Sequence, residues 1–188
     1  MGFEGSYVRV GAALSRLGVH PNYYTIAGLT LAVTVPAAAY MGFKILALFL
    51  MALSALLDAL DGLVARASGL QSRRGAFLDS VSDRISDAAY ILALHYMGVG
   101  VLLSYTLLVA SYMVSYTRAR GEGLGVTLKG VGLVERQERV VGLLAAGLAS
   151  LYSVGLAEAI IAVLLVLSIA TLVQRFHRVW LELGGGGG

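Results

Sequence analysis

Asp58 and Asp61 in LLDALDGLVAR, and Asp79 and Asp83 in GAFLDSVSDR, stand inside stretches that otherwise have the composition of membrane-spanning helix. An ionised carboxylate in hydrocarbon is costly unless something compensates it, so intramembrane acids mark a function and call for a partner. Separations of three and four residues keep each pair on one helical face, about one turn apart. Two such helices in antiparallel contact converge four carboxylates on one point. Hard oxygen ligands of that number suit Mg2+, Mn2+ or Ca2+ rather than zinc, and they can hold two ions in a phosphoryl-transfer site.

The surrounding residues extend the pattern to D-x2-D-G-x2-A-R-x8-G-x3-D-x3-D, with Asp58, Asp61, Gly62, Ala65, Arg66, Gly75, Asp79 and Asp83 in the fixed places. Gly62, Ala65 and Gly75 have a physical use, because a bulky phosphate ester approaches a helix backbone only where side chains are small. Arg66 ends the first of the two helices. Gln71–Gly75 reads as the turn between them and carries Arg73 and Arg74. The competing readings are a structural polar cluster and a cation path through an ion-coupled transporter. A transporter would show repeated halves, and the aspartate segment has no second copy. Asp87 continues the row by another four residues, either as a buried carboxylate paired with Arg84 or a hydroxyl, or in support of the site.

A second cluster lies in SYTRARGEGLGVTLKGVGLVERQERVV, where Arg118 and Arg120 close one apolar stretch and Arg136 and Arg139 open the next after a glycine-rich loop. Guanidinium groups bind phosphate bidentately, so their gathering at the mouth of an acidic metal site points to a second, anionic substrate. The plainer reading makes them topological anchors paired with Glu135 and Glu138. That explains their number but not their pairing across a loop.

With these residues in place, the chain resembles the CDP-alcohol phosphotransferases, whose signature has the aspartate spacing without departure. The resemblance implies that Asp58, Asp61 and Asp79 ligate Mg2+ or Mn2+, with two ions expected. It places Asp83 beside them as the general base, able to serve as a fourth ligand. Gly62, Ala65, Arg66 and Gly75 would contact the nucleotide half of a CDP-linked lipid. Asn22 and Thr25, in the entry to the first apolar stretch, resemble a family feature near that nucleotide, although an Asn-capped helix start explains them equally well. Tyr116, Ala119, Arg120, Glu122, Val131, Gly132, Glu135, Arg136, Glu138 and Arg139 match the branch of the family that uses inositol phosphate as acceptor, with Arg118 where that branch often has Lys. On this resemblance Arg118, Arg120, Arg136 and Arg139 hold the acceptor phosphate, and the reaction moves the phospholipid moiety of CDP-archaeol or CDP-diacylglycerol to inositol phosphate, releasing CMP. A glycerol-phosphate acceptor is the alternative within the family.

The elements that must position these groups are membrane helices. The mean hydropathy is +0.81 and hydrophobic residues make up 58% of the chain, beyond what a soluble domain carries. Six spans are expected, over 22–41, 45–67, 75–97, 99–117, 140–154 and 156–176. The fold expected is therefore an all-α integral membrane domain over 21–183. An interfacial amphipathic helix over 1–20 precedes it, where Phe3, Tyr7, Val10, Leu14 and Leu17 share one stripe opposite Arg9 and Arg16. The first residues lack the basic tip and apolar block of a secretory signal. The glycine run 184–188 is left out of the fold.

Twelve of the 14 Lys and Arg fall on one side of these spans, Arg175 and Arg178 among them, which places both termini and the active site in the cytoplasm of a multi-pass cell-membrane protein. Topology and anionic substrates thus account for the net charge of +3, and no nucleic-acid partner is called for. Cysteine is absent, which excludes disulfides and thiolate metal sites. One Asn and three Gln, with no Cys, suggest a hot-growing source and tip the lipid toward archaeol. Gly142, Ala146 and Ser150 recur every four residues, a small-residue stripe suited either to packing within the bundle or to a homodimer seam.

Overall fold

Each expected span has a helix in the computed structural model, which describes residues 18–184. The helices are α1 (Pro21–Tyr40), α2 (Lys44–Ser68), α3 (Arg73–Tyr96), α4 (Val101–Gly123), α5 (Arg136–Ser150) and α6 (Val154–Gly184), and the described residues contain no strand. The interfacial helix expected over 1–20 falls on residues outside those described, apart from its last three. The largest differences from the expected ends are extensions through charged residues, while α5 stops at Ser150, short of 154. α4 continues past Thr117 to Gly123, α5 starts at Arg136 rather than Val140, and α6 continues past Phe176 to take in Gly184. Hydropathy marks where apolar side chains stop, but the backbone ladder continues through charged residues without loss.

α2 and α6 are long and apolar enough to cross a membrane. Their outer faces agree, with Phe49 and Leu56 on α2 and Val163, Val166 and Val173 on α6 all exposed. Apolar exposure on this scale is the surface of a protein solvated by lipid.

The chain divides into two compact units, one ending at Ala93 and one starting at Leu94. In the first, α1 and α2 pack antiparallel through Gly28, where an added Cβ would lie 3.2 Å from the Ser54 carbonyl oxygen and 3.5 Å from the Asp58 nitrogen. The hydroxyl of Ser54 donates to the Gly28 carbonyl at 2.6 Å and accepts from Tyr90 Oη at 2.7 Å, which ties α3 to the same crossing. Burial of all three residues makes these bonds matter, since a polar group left unpaired there would cost about 1–3 kcal/mol. α2 stops at Gly69, whose φ of 68° is the left-handed cap that glycine adopts without strain.

In the second unit, α4 and α5 each pack on α6. An added Cβ at Gly142 would lie 2.7 Å from Leu164, and Ala146 and Ser150 are buried. The small-residue stripe of α5 is therefore spent inside the bundle, on α6. Three residues of α6 spaced one turn apart hold the connection between α4 and α5 and the later part of α4. Thr171 Oγ1 accepts from the backbone nitrogens of Leu133 and Val134 at 3.0 and 3.1 Å. Arg175 donates from Nε to the Val131 carbonyl at 2.8 Å and from Nη1 to the Val114 carbonyl at 3.1 Å. Val179 lies 2.8 Å from where a Cβ on Gly121 would sit, so the end of α4 is held closely as well.

Candidate active site

The antiparallel register that sets Gly28 against Asp58 brings Thr25, one turn earlier on α1, opposite Asp61, one turn later on α2. Thr25 Oγ1 donates to Asp61 Oδ2 at 2.5 Å, and both residues are buried. With one oxygen held by the hydroxyl, the Asp61 carboxylate has a fixed direction. Oxygens of Asp58, Asp61 and Asp79 then lie within 4.8 Å of one another. Three carboxylates this close repel one another unless a cation neutralises them, and their hardness fits a divalent ion of the Mg2+ or Mn2+ kind. Asp83, a further turn along α3 from Asp79, is not part of this group of three. Its Oδ2 lies 3.5 Å from Arg84 Nη1, which also donates to the Ser80 carbonyl at 2.7 Å.

Beside the carboxylates is a cleft of about 250 Å³, lined by Asn22, Thr25, Asp61, Gly62, Ala65, Arg66, Gly75 and Asp79 together with Pro21, Leu70, Gln71, Ser72 and Ala76. All six residues expected at a nucleotide thus line one cleft. The Arg66 guanidinium lies over Gly62, with Nη1 3.4 Å from where an added Cβ would stand. At Gly75 an added Cβ would be 3.1 Å from both Asn22 Oδ1 and Ser72 Oγ, so those two side chains would have to shift by a few tenths of an ångström to admit one.

Two local readings of the sequence change here. Arg73 and Arg74 do not lie in a turn but open α3, because Ser72 accepts from the Gly75 nitrogen at 3.0 Å and caps the helix. Asn22 is not the cap of α1. His20 holds that place, with Nδ1 3.3 Å from the Asn22 nitrogen, which leaves the Asn22 side chain directed at the cleft.

The second unit carries the arginines. Arg118 pairs through Nε with Glu122 at 3.0 Å on an exposed surface, a contact worth about 0.3–0.5 kcal/mol and readily exchanged for a better anion. Arg120 is exposed, Arg136 is the first residue of α5, and Arg139 is buried at 1% exposure. Glu138 reaches back to the Glu135 nitrogen at 3.0 Å and so serves the helix start. Arg175, counted in the sequence as a topological anchor, is 3% exposed and lies in the fields of Arg118 and Arg139 as well as Glu135 and Glu122. A lone Arg at the end of an apolar run looks the same in sequence whether it faces water or the interior. Ser72 and the Thr25–Asp61 bond were also unannounced; the S-x-x-G spacing before α3 was the available signal for the first.

Hard carboxylate oxygens beside a cleft walled by glycine and alanine are the parts of a metal-dependent enzyme acting on phosphate esters. The chain belongs to the CDP-alcohol phosphatidyltransferase family, whose model matches residues 18–180. It is 42% identical over 175 residues to the archaetidylinositol phosphate synthase of Aeropyrum pernix, covering 93% of this chain and 90% of that protein. Its fold is similar to phosphatidylinositol phosphate synthase of Mycobacterium tuberculosis, solved with manganese and citrate, at a TM-score of 0.78 and 32% identity over 93% of this chain and 88% of that one. The same enzyme solved with CDP-DAG bound also gives a TM-score of 0.78, at 32% identity over 93% of each chain.

Proposed function

We propose that this protein transfers the phospholipid moiety of a CDP-linked lipid to inositol phosphate, releasing CMP. The observation that carries the reading is the meeting of three carboxylates with a cleft lined by all six residues expected to contact a nucleotide. The relatives named as archaetidylinositol and phosphatidylinositol phosphate synthases support the acceptor, as does the field of several guanidinium groups in the second unit. Asp58, Asp61 and Asp79 would hold Mg2+ or Mn2+, two ions in all, which when bound neutralise charge on the pyrophosphate and on the departing cytidylate. Gly62, Ala65 and Gly75 admit the nucleotide to the backbone, with Arg66, Asn22 and Thr25 around it.

Asp83 takes the proton from the acceptor hydroxyl as that oxygen bonds to the lipid-side phosphorus, while the bond to the bridging oxygen breaks and CMP leaves. Arg118, Arg120, Arg136 and Arg139 hold the acceptor phosphate. Archaeol is the lipid tail favoured by the composition and by the archaeal relative.

Thr25 has no chemistry of its own in this scheme. Thr25→Val keeps the shape and removes the proton that orients Asp61, so metal affinity or activity should fall roughly 10–100-fold. A manganese titration of activity reads it, and an unchanged titration curve would show that Asp61 needs no such hold.

The acceptor assignment has its own test. Arg136→Ala removes one charge-assisted contact, of about 1.5–3 kcal/mol, so the apparent KM for inositol phosphate should rise about tenfold or more while that for the CDP-lipid stays put. Free inositol should be a poor substrate for the parent enzyme. Faster turnover of free inositol or glycerol phosphate sinks the acceptor while leaving the aspartates' role intact.

The six helices are read as six spans, with the active site facing the cytoplasm and a homodimer as the assembly. Since the chain has no cysteine, single replacements report the topology directly. Lys129→Cys should react with an impermeant thiol reagent from the cytoplasmic side only, and Phe43→Cys from the opposite side only; labelling of both from one side contradicts the orientation. Light scattering in detergent reads the dimer, and a monomer mass would remove it.

A further inference from the structure

Thr171 sits in an apolar stretch of α6, is 0% exposed, and uses one oxygen for three hydrogen bonds. Its proton goes to the Leu167 carbonyl at 2.8 Å, one turn back along its own helix, which turns both lone pairs outward. They accept the nitrogens of Leu133 and Val134 at 3.0 and 3.1 Å, the last two residues before Glu135 caps α5. Gly132 completes the fit. Its φ is 129°, and a Cβ there would fall on the Thr171 side chain. A glycine and a threonine 39 positions apart thus form a matched seat for the backbone that leads into α5. Arg136 and Arg139 are the first and fourth residues of that helix.

We propose that Thr171 is a positioning residue for the acceptor phosphate: by clamping residues 132–134 it fixes where the start of α5, and with it Arg136 and Arg139, stands. This rests on the reading of those arginines as the acceptor site. The clamp is a hydroxyl rather than an apolar contact because hydrogen bonds fix direction as well as distance, and bidentate guanidinium recognition fails with small misplacements. Helix α6 contributes the hydroxyl from a rigid helix, whereas the connection it holds has no regular structure of its own.

Thr171→Val keeps the branched shape and deletes the acceptor of both backbone nitrogens. Gly132→Ala displaces the same seat from the loop side. Each should raise the apparent KM for inositol phosphate about tenfold, leave the KM for the CDP-lipid and the kcat at saturating acceptor within about twofold, and leave the metal titration unmoved. Thr171→Ser restores the oxygen and should return the acceptor KM to near the parent value. Arg136→Ala is measured beside them. If it raises the acceptor KM while Thr171→Val does not, the clamp is wrong and the acceptor site stands; if Arg136→Ala leaves the acceptor KM unchanged, the acceptor site itself is wrong. A Thr171→Ser enzyme as impaired as Thr171→Val, equal shifts for both substrates, or loss of the melting transition in detergent for both Thr171→Val and Gly132→Ala would reduce Thr171 to a stability element and overturn the proposal.

Discussion

Asp61→Asn is expected to abolish phospholipid transfer at any manganese concentration, and Asp58→Asn and Asp79→Asn to do the same, while each protein remains folded. The three carboxylates approach within 4.8 Å, so removing one charge relieves repulsion among the acids while deleting a hard anionic ligand. Asp61 is the most telling of the three because Thr25 already holds its direction, so the amide would sit in the same place with the wrong charge. Turnover is followed with thermal unfolding in the same detergent. Full activity in EDTA, or an unfolded Asp61→Asn protein, would argue for a structural polar cluster instead.

For Asp83→Asn the expected loss is in kcat, by a factor on the order of 10²–10⁴, with binding of the CDP-lipid and metal retained. Asp83 stands outside the three-carboxylate group, with Arg84 Nη1 3.5 Å from its Oδ2. Equilibrium binding of CDP-lipid to the variant separates the roles. Loss of nucleotide binding together with activity would make Asp83 a ligand.

Much of the site was legible because helical spacing is rigid. Intervals of three and four between Asp58 and Asp61, and between Asp79 and Asp83, fix faces without knowledge of the partner helix, and the small residues at 62, 65 and 75 line the cleft beside the carboxylates. What connects elements was harder to read. Ser72 followed by Arg73 and Arg74 resembled a basic turn, and only the bond to the Gly75 nitrogen reveals a helix start. The small-residue stripe at 142, 146 and 150 could not say which helix it faced, and Leu164 supplies the answer. Arg175 and Thr171 were invisible for a related reason: a charge ending an apolar run and a hydroxyl within one are common in any membrane helix, and their partners lie 37–61 positions away in sequence. The helix ends beyond Thr117 and before Val140 were missed because charged residues continue a helix as readily as they end a span.

The most direct measurement is mass spectrometry of the lipid product after purified protein is incubated with manganese, CDP-archaeol or CDP-diacylglycerol, and a panel of inositol phosphate, free inositol and glycerol phosphate. The predicted result is an inositol-phosphate lipid formed with stoichiometric CMP, only when the divalent cation and the phosphorylated inositol are both present. Formation of a glycerol-phosphate or unphosphorylated inositol lipid in preference, or the same product in EDTA, would contradict it.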